Sequence, residues 1–392
     1  MKRLAAVAVA ATLVLAACSG GDDSSSSGDG TTVKIGLVGP ETGAAPQFYT
    51  DLVRPTELAV KELSEKYGVD VEIVTADDQG TPDGASIAVQ RLLNNEDVDV
   101  IFGPPQSGNA LQVSEVIQRT GRPVFSPALA DEIIENGADP NWAFRTNYSN
   151  TDLSTVVTEL LFSGGGTVGV IHSADGYGQS GAETIEAQAE AAGYDVAAVE
   201  AIQPGATDFG PGIARLRAAG VDTVFLAITS GSDTATVTRA MAQENLGAKL
   251  VVTNATILAD FSELADPAQW ENLVFVDTRD LTGSSITAIS EEYEAEYGEP
   301  PILPTNVHSV YAAVDAYLQA VSEVGDARDF DAIREAIEGL EEITVKDDVY
   351  PNPFSKDDHE LYDPEEASGW FVLGFDASGT LENRGTLADF VS

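Results

Sequence analysis

The chain has 392 residues, with 64 Asp and Glu against 20 Lys and Arg, for a formal net charge of −44. So strong a negative field excludes nucleic acid and anionic lipid surfaces as partners. Hydrophobic residues make up 43% of the chain, too many for a disordered one, and the single cysteine excludes an internal disulfide.

At the start, Lys2-Arg3, an apolar run over residues 4–17 and the small residues Ala16-Ala17 stand in the order of a secretory signal. The run is shorter than the roughly 20 residues that a spanning helix needs. Residues 19–30 read SGGDDSSSSGDG and offer nothing to a core, so they form a flexible tether. Residues 1–17 are therefore expected to be a signal peptide and 18–30 a tether to an exported, water-soluble body. The body is long enough for two domains and can bury ample apolar surface without disulfides.

The body opens with a strand over 33–38 and the turn Gly39-Pro-Glu-Thr-Gly43. A helix follows, with Leu52, Val53, Thr56, Ala59, Val60 and Leu63 on one face, and 69–76 alternates as a second strand. Ala85, Ala88, Val89, Leu92 and Leu93 have amphipathic helical spacing. Residues 98–102 read as a strand, 109–119 as a helix and 123–125 as a short strand. The rhythm restarts after Phe144: helix at 153–161, strand at 167–172, helix at 178–192, strand at 196–201, helix at 213–219, strand at 223–228, helix at 234–244, strand at 250–253. Strands alternating with helices imply βαβ units and parallel sheets, here in two halves of similar size. From Asp280 the texture changes to helices at 285–297, 306–324 and 330–340, with one last strand at 370–375. These late elements complete the two halves rather than build a third.

In open α/β sheets, ligands bind beyond the carboxyl ends of the strands. The turns expected there are rich in small and hydroxyl residues. They include Gly103-Pro-Pro-Gln-Ser107-Gly-Asn109, Ser126-Pro-Ala128-Leu-Ala130, His172-Ser-Ala-Asp-Gly-Tyr177-Gly, Thr229-Ser230-Gly-Ser-Asp233 and Thr253-Asn254-Ala-Thr. Two such rims facing each other would enclose a cleft. Ser107 stands at a helix start, where free backbone N–H groups favour an anion such as a carboxylate, and Ser107 or Asn109 can also cap that helix.

Catalytic readings fail on spacing. His172, Ser173 and Asp175 are triad residue types, but sequence neighbours do not form a triad's geometry without special folding. Gly164-Gly-Gly-Thr-Val-Gly169 matches a dinucleotide fingerprint by letters, yet it precedes a strand instead of opening a helix. No Cys/His cluster supplies zinc ligands and no EF-hand spacing occurs. The expectation is a binding protein, not an enzyme, with no cofactor and no metal.

Several segments resemble the type I periplasmic binding proteins of the leucine/isoleucine/valine-binding kind, receptors for ABC importers. They are Lys34-Ile-Gly-Leu37, Gly39-Pro-Glu-Thr-Gly43, Asp77-Asp78, Ile101-Phe-Gly-Pro104, Phe125-Ser-Pro-Ala128, Phe144-Arg145, Asp175-Gly-Tyr-Gly178 and Thr207-Asp-Phe209. The resemblance implies two doubly wound three-layer α/β/α lobes with a ligand cleft between them. It implies crossings near 146–148, 277–280 and 343–347, hence a first lobe of 31–147 and 280–344 and a second of 148–279 and 345–392. It also implies that Ser107, Ala128 and Ala130 hold a ligand carboxylate and that Tyr177 closes from the second lobe, with Ser230 and Asn254 on the same rim. Leu15-Ala-Ala-Cys18 resembles the lipobox of bacterial lipoproteins, which implies acylation of Cys18 and a lipid anchor. The partners implied are a small polar ligand, branched-chain amino acid-like, an amide or an organic acid, and the permease subunits of the importer. A sensing module of the same fold without transport is the alternative. Two departures stand out. Ala130 replaces a frequent threonine, and Asn254 stands where a carboxylate pairs with the ligand ammonium, so another acid such as Asp233 or Asp260 replaces it or the ligand is not an α-amino acid.

Overall fold

A computed structural model describes residues 31–391 except 44, 254–264, 266–269, 271–272 and 363–368. The expected signal segment, the tether with Cys18, and the cleft residue Asn254 lie outside the described residues.

Five strands form the first sheet: β1 (Thr31–Gly39), β2 (Val69–Asp77), β3 (Val100–Phe102), β4 (Val124–Phe125) and β5 (Ala143–Phe144). They are parallel, in the order β2-β1-β3-β4-β5. Helices α1 (Gln47–Tyr67), α2 (Pro82–Asn94) and α3 (Ser107–Thr120) connect them. Both faces of this sheet are covered. Val100 and Phe102 pack into one core with Val33, Ile35 and Leu37, while Ile101 packs into the other with Val89 and Val113. That is why β3 is a continuous apolar run and not an alternating one. Gly103, just past β3, has φ 98°, and a Cβ there would lie 2.2 Å from the Val38 carbonyl oxygen, so only glycine fits.

The chain crosses at 145–149 into α4 (Asn150–Phe162), held by a capping box between Ser149 and Asp152. The second sheet then builds through β6 (Val168–Ser173), α5 (Gly176–Ala191), β7 (Ala198–Ile202), α6 (Gly210–Ala218), β8 (Thr223–Ala227), α7 (Gly231–Gln243), β9 (Lys249–Val252) and β10 (Leu273–Asp277). From β10 the chain returns to the first lobe as α8 (Ser284–Tyr297), α9 (Pro304–Val324) and α10 (Phe330–Glu338). Proline at the first turn of α9 and left-handed Gly325 at its end bound this helix. It is buried on nearly every side, and its Val314, Tyr317 and Val321 share the core of Val33, Ile35 and Leu37. Burying one such side chain stabilises by about 1.5–3 kcal/mol.

A hairpin of β11 (Glu342–Val345) and β12 (Asp348–Pro351) follows. The third crossing differs from the expectation near 343–347. Val345 and Phe354 pack in the first-lobe core, and the Arg145 N–H donates to the His359 carbonyl at 2.9 Å. The chain therefore stays with the first lobe through this stretch and enters the second sheet only at β13 (Phe371–Phe375). β13 pairs antiparallel with β10, and β14 (Leu381–Thr386) pairs antiparallel with β13 at the edge, before a short α11 (Leu387–Val391). The sheet order is β14-β13-β10-β9-β8-β6-β7. The hairpin, β14 and α11 thus extend the sparse late pattern, and β10 adds a strand just before it. Among the described residues, no helix is long and apolar enough to cross a membrane.

Candidate functional site

The carboxyl ends of both sheets meet around one pocket lined from both lobes. The first lobe contributes Phe48, Asp51 and Leu52 from α1, Pro105, Gln106 and Ser107 at the start of α3, and Pro127 and Leu129 after β4. Asn306 and Val310 of α9 complete that side, Asn147 comes from the first crossing, and Tyr177 and Thr229 come from the second lobe.

Ser107 is the first residue of α3, and Gln106 before it makes no side-chain cap. The Ser107 hydroxyl accepts the Ala130 N–H at 3.2 Å. Asn109 does not cap the helix either: its carboxamide donates to Asp78 at 2.9 Å, and Asp78 also accepts the Gly80 N–H at 2.8 Å. Burial pushes the Asp78 carboxyl above its usual range. The start of α3 is thus braced from behind, with its uncapped end toward the pocket.

Ala128 and Ala130 stand back from the lining. In this extended segment alternate residues face opposite ways, so Pro127 and Leu129 meet the pocket. The Ala128 N–H is directed at the Ser126 hydroxyl and the Ala130 N–H at Ser107. Ser230 caps α7, its oxygen accepting the Asp233 N–H at 3.3 Å, while its neighbour Thr229 reaches the pocket. Asp233 accepts the Gly205 N–H on both oxygens and does not line the pocket; Asp260 lies outside the described residues.

Tyr177 follows Gly176 in the first turn of α5, where Asp175 caps the helix through the Gly178 N–H at 2.9 Å. Its ring is 5% exposed, its hydroxyl donates to Thr253, and burial raises its phenol pKa. The second Asp175 oxygen accepts from Thr229 at 2.8 Å. The lobes touch beside Tyr177: a Cβ added to Gly176 would lie 3.2 Å from the Gly108 Cα and 3.1 Å from Leu111. The Ser173 hydroxyl meets Thr229 and the Ala227 carbonyl, while the His172 ring meets the Ser173 carbonyl, so these residues form no triad. Among the described residues, no group of three or more His, Cys, Asp or Glu could hold a metal.

Asp51 escaped the sequence reading, as did Asn147 and the α9 residues. A signal for Asp51 existed: Phe48, Asp51, Leu52 and Pro55 share the buried stripe of α1, and a carboxylate on such a stripe is conspicuous. Asn306 and Val310 carried none, because only the fold returns α9 to α1.

Two α/β lobes, each lending side chains to one pocket at their sheet ends, define a ligand-binding protein of the two-lobed receptor class. The sequence profile of the family described as Periplasmic binding protein matches residues 32–365. The chain belongs to this family, whose members are extracytoplasmic binding proteins and not enzymes. It is 24% identical over 324 residues to a Leu/Ile/Val-binding protein of Rhizobium johnstonii, covering 79% of this chain and 84% of that one. The crystal structure of a type 1 periplasmic binding protein from Bordetella pertussis superposes with a TM-score of 0.80 at 25% identity, covering 90% of this chain and all of that one. A solute-binding protein of an R. palustris ABC transporter, crystallised with benzoate, superposes with a TM-score of 0.77 at 20% identity, covering 91% of this chain and 96% of that one.

Proposed function

We propose that the chain is the lipid-anchored receptor of an ABC importer, taking a small polar ligand with an apolar body into the cleft and delivering it to permease subunits. The observation that carries this reading is that Ser107 of one lobe and Tyr177 of the other line a single pocket. A ligand that touches both favours the closed arrangement through contacts the open one lacks. In this reading the start of α3 and the Ser107 hydroxyl receive a carboxylate or other acceptor. Phe48, Leu52, Leu129 and Val310 hold the apolar body, and Tyr177 covers it. Ala128 and Ala130 support the wall from behind. The Rhizobium relative's name favours a branched-chain amino acid, and the benzoate-bound likeness adds aromatic acids to the candidates.

A thermal-shift screen over amino acids, amides and organic acids tests it, since a ligand at 100 times its Kd stabilises by about 2.7 kcal/mol. Tyr177→Ala then weakens the hit about tenfold or more by calorimetry. Unchanged affinity places the ligand elsewhere. The anchor rests on Leu15-Ala-Ala-Cys18 and the hydrophilic residues after it. Cys18→Ser is expected to release the protein from the membrane fraction, and retention there refutes the anchor.

A further inference from the structure

We propose that the first turns of α9 are the pivot about which the lobes close, with Thr305 and Thr146 as positioning residues that fasten the second and first crossings to one helix. This rests on the reading that the lobes close over the cleft.

The stretch 305–310 of α9 is where the crossings meet. Thr305 is buried, and its hydroxyl donates to Asp277 at 2.9 Å, where the second crossing leaves β10. The other Asp277 oxygen accepts the Thr278 N–H at 2.7 Å, so this carboxylate ties the strand end to the helix. One turn further on, the Ser309 carbonyl accepts the Thr146 hydroxyl of the first crossing at 2.7 Å. Between them His308, fully buried, meets Asp348 of the β11–β12 hairpin at 2.9 Å. That hairpin leads into residues 359–361, which pair with Arg145 of the first crossing through its N–H and its carbonyl, both at 2.9 Å. Arg279 of the second crossing reaches the same part of the chain. It donates to the Tyr350 hydroxyl at 2.6 Å, and its guanidinium lies 5.0 Å from the centre of the Tyr362 ring.

Asn306 and Val310, offset by one residue from Thr305 and Ser309, form the neighbouring stripe of the helix and line the cleft. The helix itself is held fast, since Val314, Tyr317 and Val321 of its later turns lie in the first-lobe core. Hinge residues absorb a change of backbone dihedrals while their surroundings stay rigid. With two crossings fastened to one rigid helix, they bend together about one axis, and a ligand resting on Asn306 and Val310 sits beside that axis. Without the two threonine hydroxyls, each crossing bends by itself.

The test is hydrogen–deuterium exchange of the unliganded protein, comparing wild type with Thr305→Val, Thr305→Ser and Thr146→Val. The hydroxyl lost in Thr305→Val touches only the second crossing. That variant is nonetheless expected to speed exchange about tenfold or more at amides 277–280 and also at 145–149, while the β1 and β8 amides keep wild-type rates. Thr146→Val is expected to do the reverse, reaching 277–280 from the first crossing, and Thr305→Ser is expected to restore wild-type rates. The proposal is overturned if either valine variant speeds only its own crossing or neither, if β1 and β8 accelerate as much as the crossings, or if Thr305→Ser exchanges as Thr305→Val does. Thr146→Val decides the matter even if Thr305→Val does not fold. These rates need no ligand. Full affinity in Tyr177→Ala therefore unseats the ligand site, whereas uncoupled crossings unseat only the pivot.

Discussion

The rim of the first lobe is braced before any ligand arrives. Ser107 holds the Ala130 N–H, Asn109 is tied to Asp78, and Asn306 to the α1 backbone. The rim of the second lobe is thinner: only Tyr177 and Thr229 among its described residues reach the pocket, Tyr177 tied to Thr253 and Thr229 to Asp175 and Ser173. The same βαβ pattern has been put to unequal uses. In the proposed reading, one lobe is a preformed cradle for the ligand and the other is its cover. Preformed donors lower the ordering cost of binding, whereas a cover contributes only when the lobes meet.

The contact between Gly108 and Gly176 is where this division breaks first. Gly176→Leu puts a side chain where even a Cβ lies 3.1–3.2 Å from Leu111 and Gly108. Overpacking of this kind costs about 1–3 kcal/mol. The variant is expected to lose up to about a hundredfold in affinity while its unliganded Tm holds. Wild-type affinity by calorimetry would mean that the cover does not need this contact.

Ser107→Ala probes the cradle and is expected to cost about tenfold in affinity. Unlike the cover variant it also costs unliganded stability, because the buried Ala130 N–H loses its acceptor, a penalty of about 1–3 kcal/mol. Denaturant unfolding without ligand separates the two lobes' behaviour, and an unchanged midpoint contradicts the bracing role.

The smallest effect sharpens where the first crossing belongs. Arg145 is fully buried, bonded to Glu360 at 3.0 Å and to the Ala130 carbonyl at 2.6 Å. Burial raises the Glu360 carboxyl to about 7 despite Arg145, with Asp152, Asp131 and Asp358 adding to the rise. A raised folded pKa means that the folded state holds the proton longer. Its stabilisation is full below the ordinary value near 4.5 and is lost as pH climbs through 7. Glu360→Gln keeps a neutral group at every pH, so the stability of wild type relative to this variant falls by about 1 kcal/mol between pH 6 and pH 8. Burial depresses the His359 pKa, and that group acts in the opposite sense, losing stability as pH falls, but it is common to both proteins and cancels. A pH-independent difference would detach Glu360 from the buried network around the crossing.

The alternation of βαβ units was legible because each depends on local periodicity, as in Ala85, Ala88, Val89 and Leu92 of α2. β14 was not, since Leu-Glu-Asn-Arg-Gly-Thr has neither alternation nor an apolar run and pairs through its backbone at a sheet edge. The third crossing was missed because turn-rich sequence around Phe354 conceals an anchor whose partners lie in β3 to β5. In the cleft, turn chemistry pointed to Ser107 and Tyr177. It could not tell Pro127 and Leu129 from Ala128 and Ala130, since one residue of register separates wall from backing. Ser230 was drawn to the rim by its hydroxyl, which serves a helix end instead.

Neither lobe is a continuous stretch of chain. The first-lobe core joins Val33 to Tyr317 and Phe354, and the second joins Val168 to Leu373 and Leu387. During synthesis, then, no lobe can finish until nearly the whole polypeptide has emerged. Contacts so distant in sequence close late and slowly. Until α9 arrives, the faces it will cover remain open, so the nascent chain stays pliable for most of its length, a state compatible with passage through a narrow translocation channel before the final packing locks it.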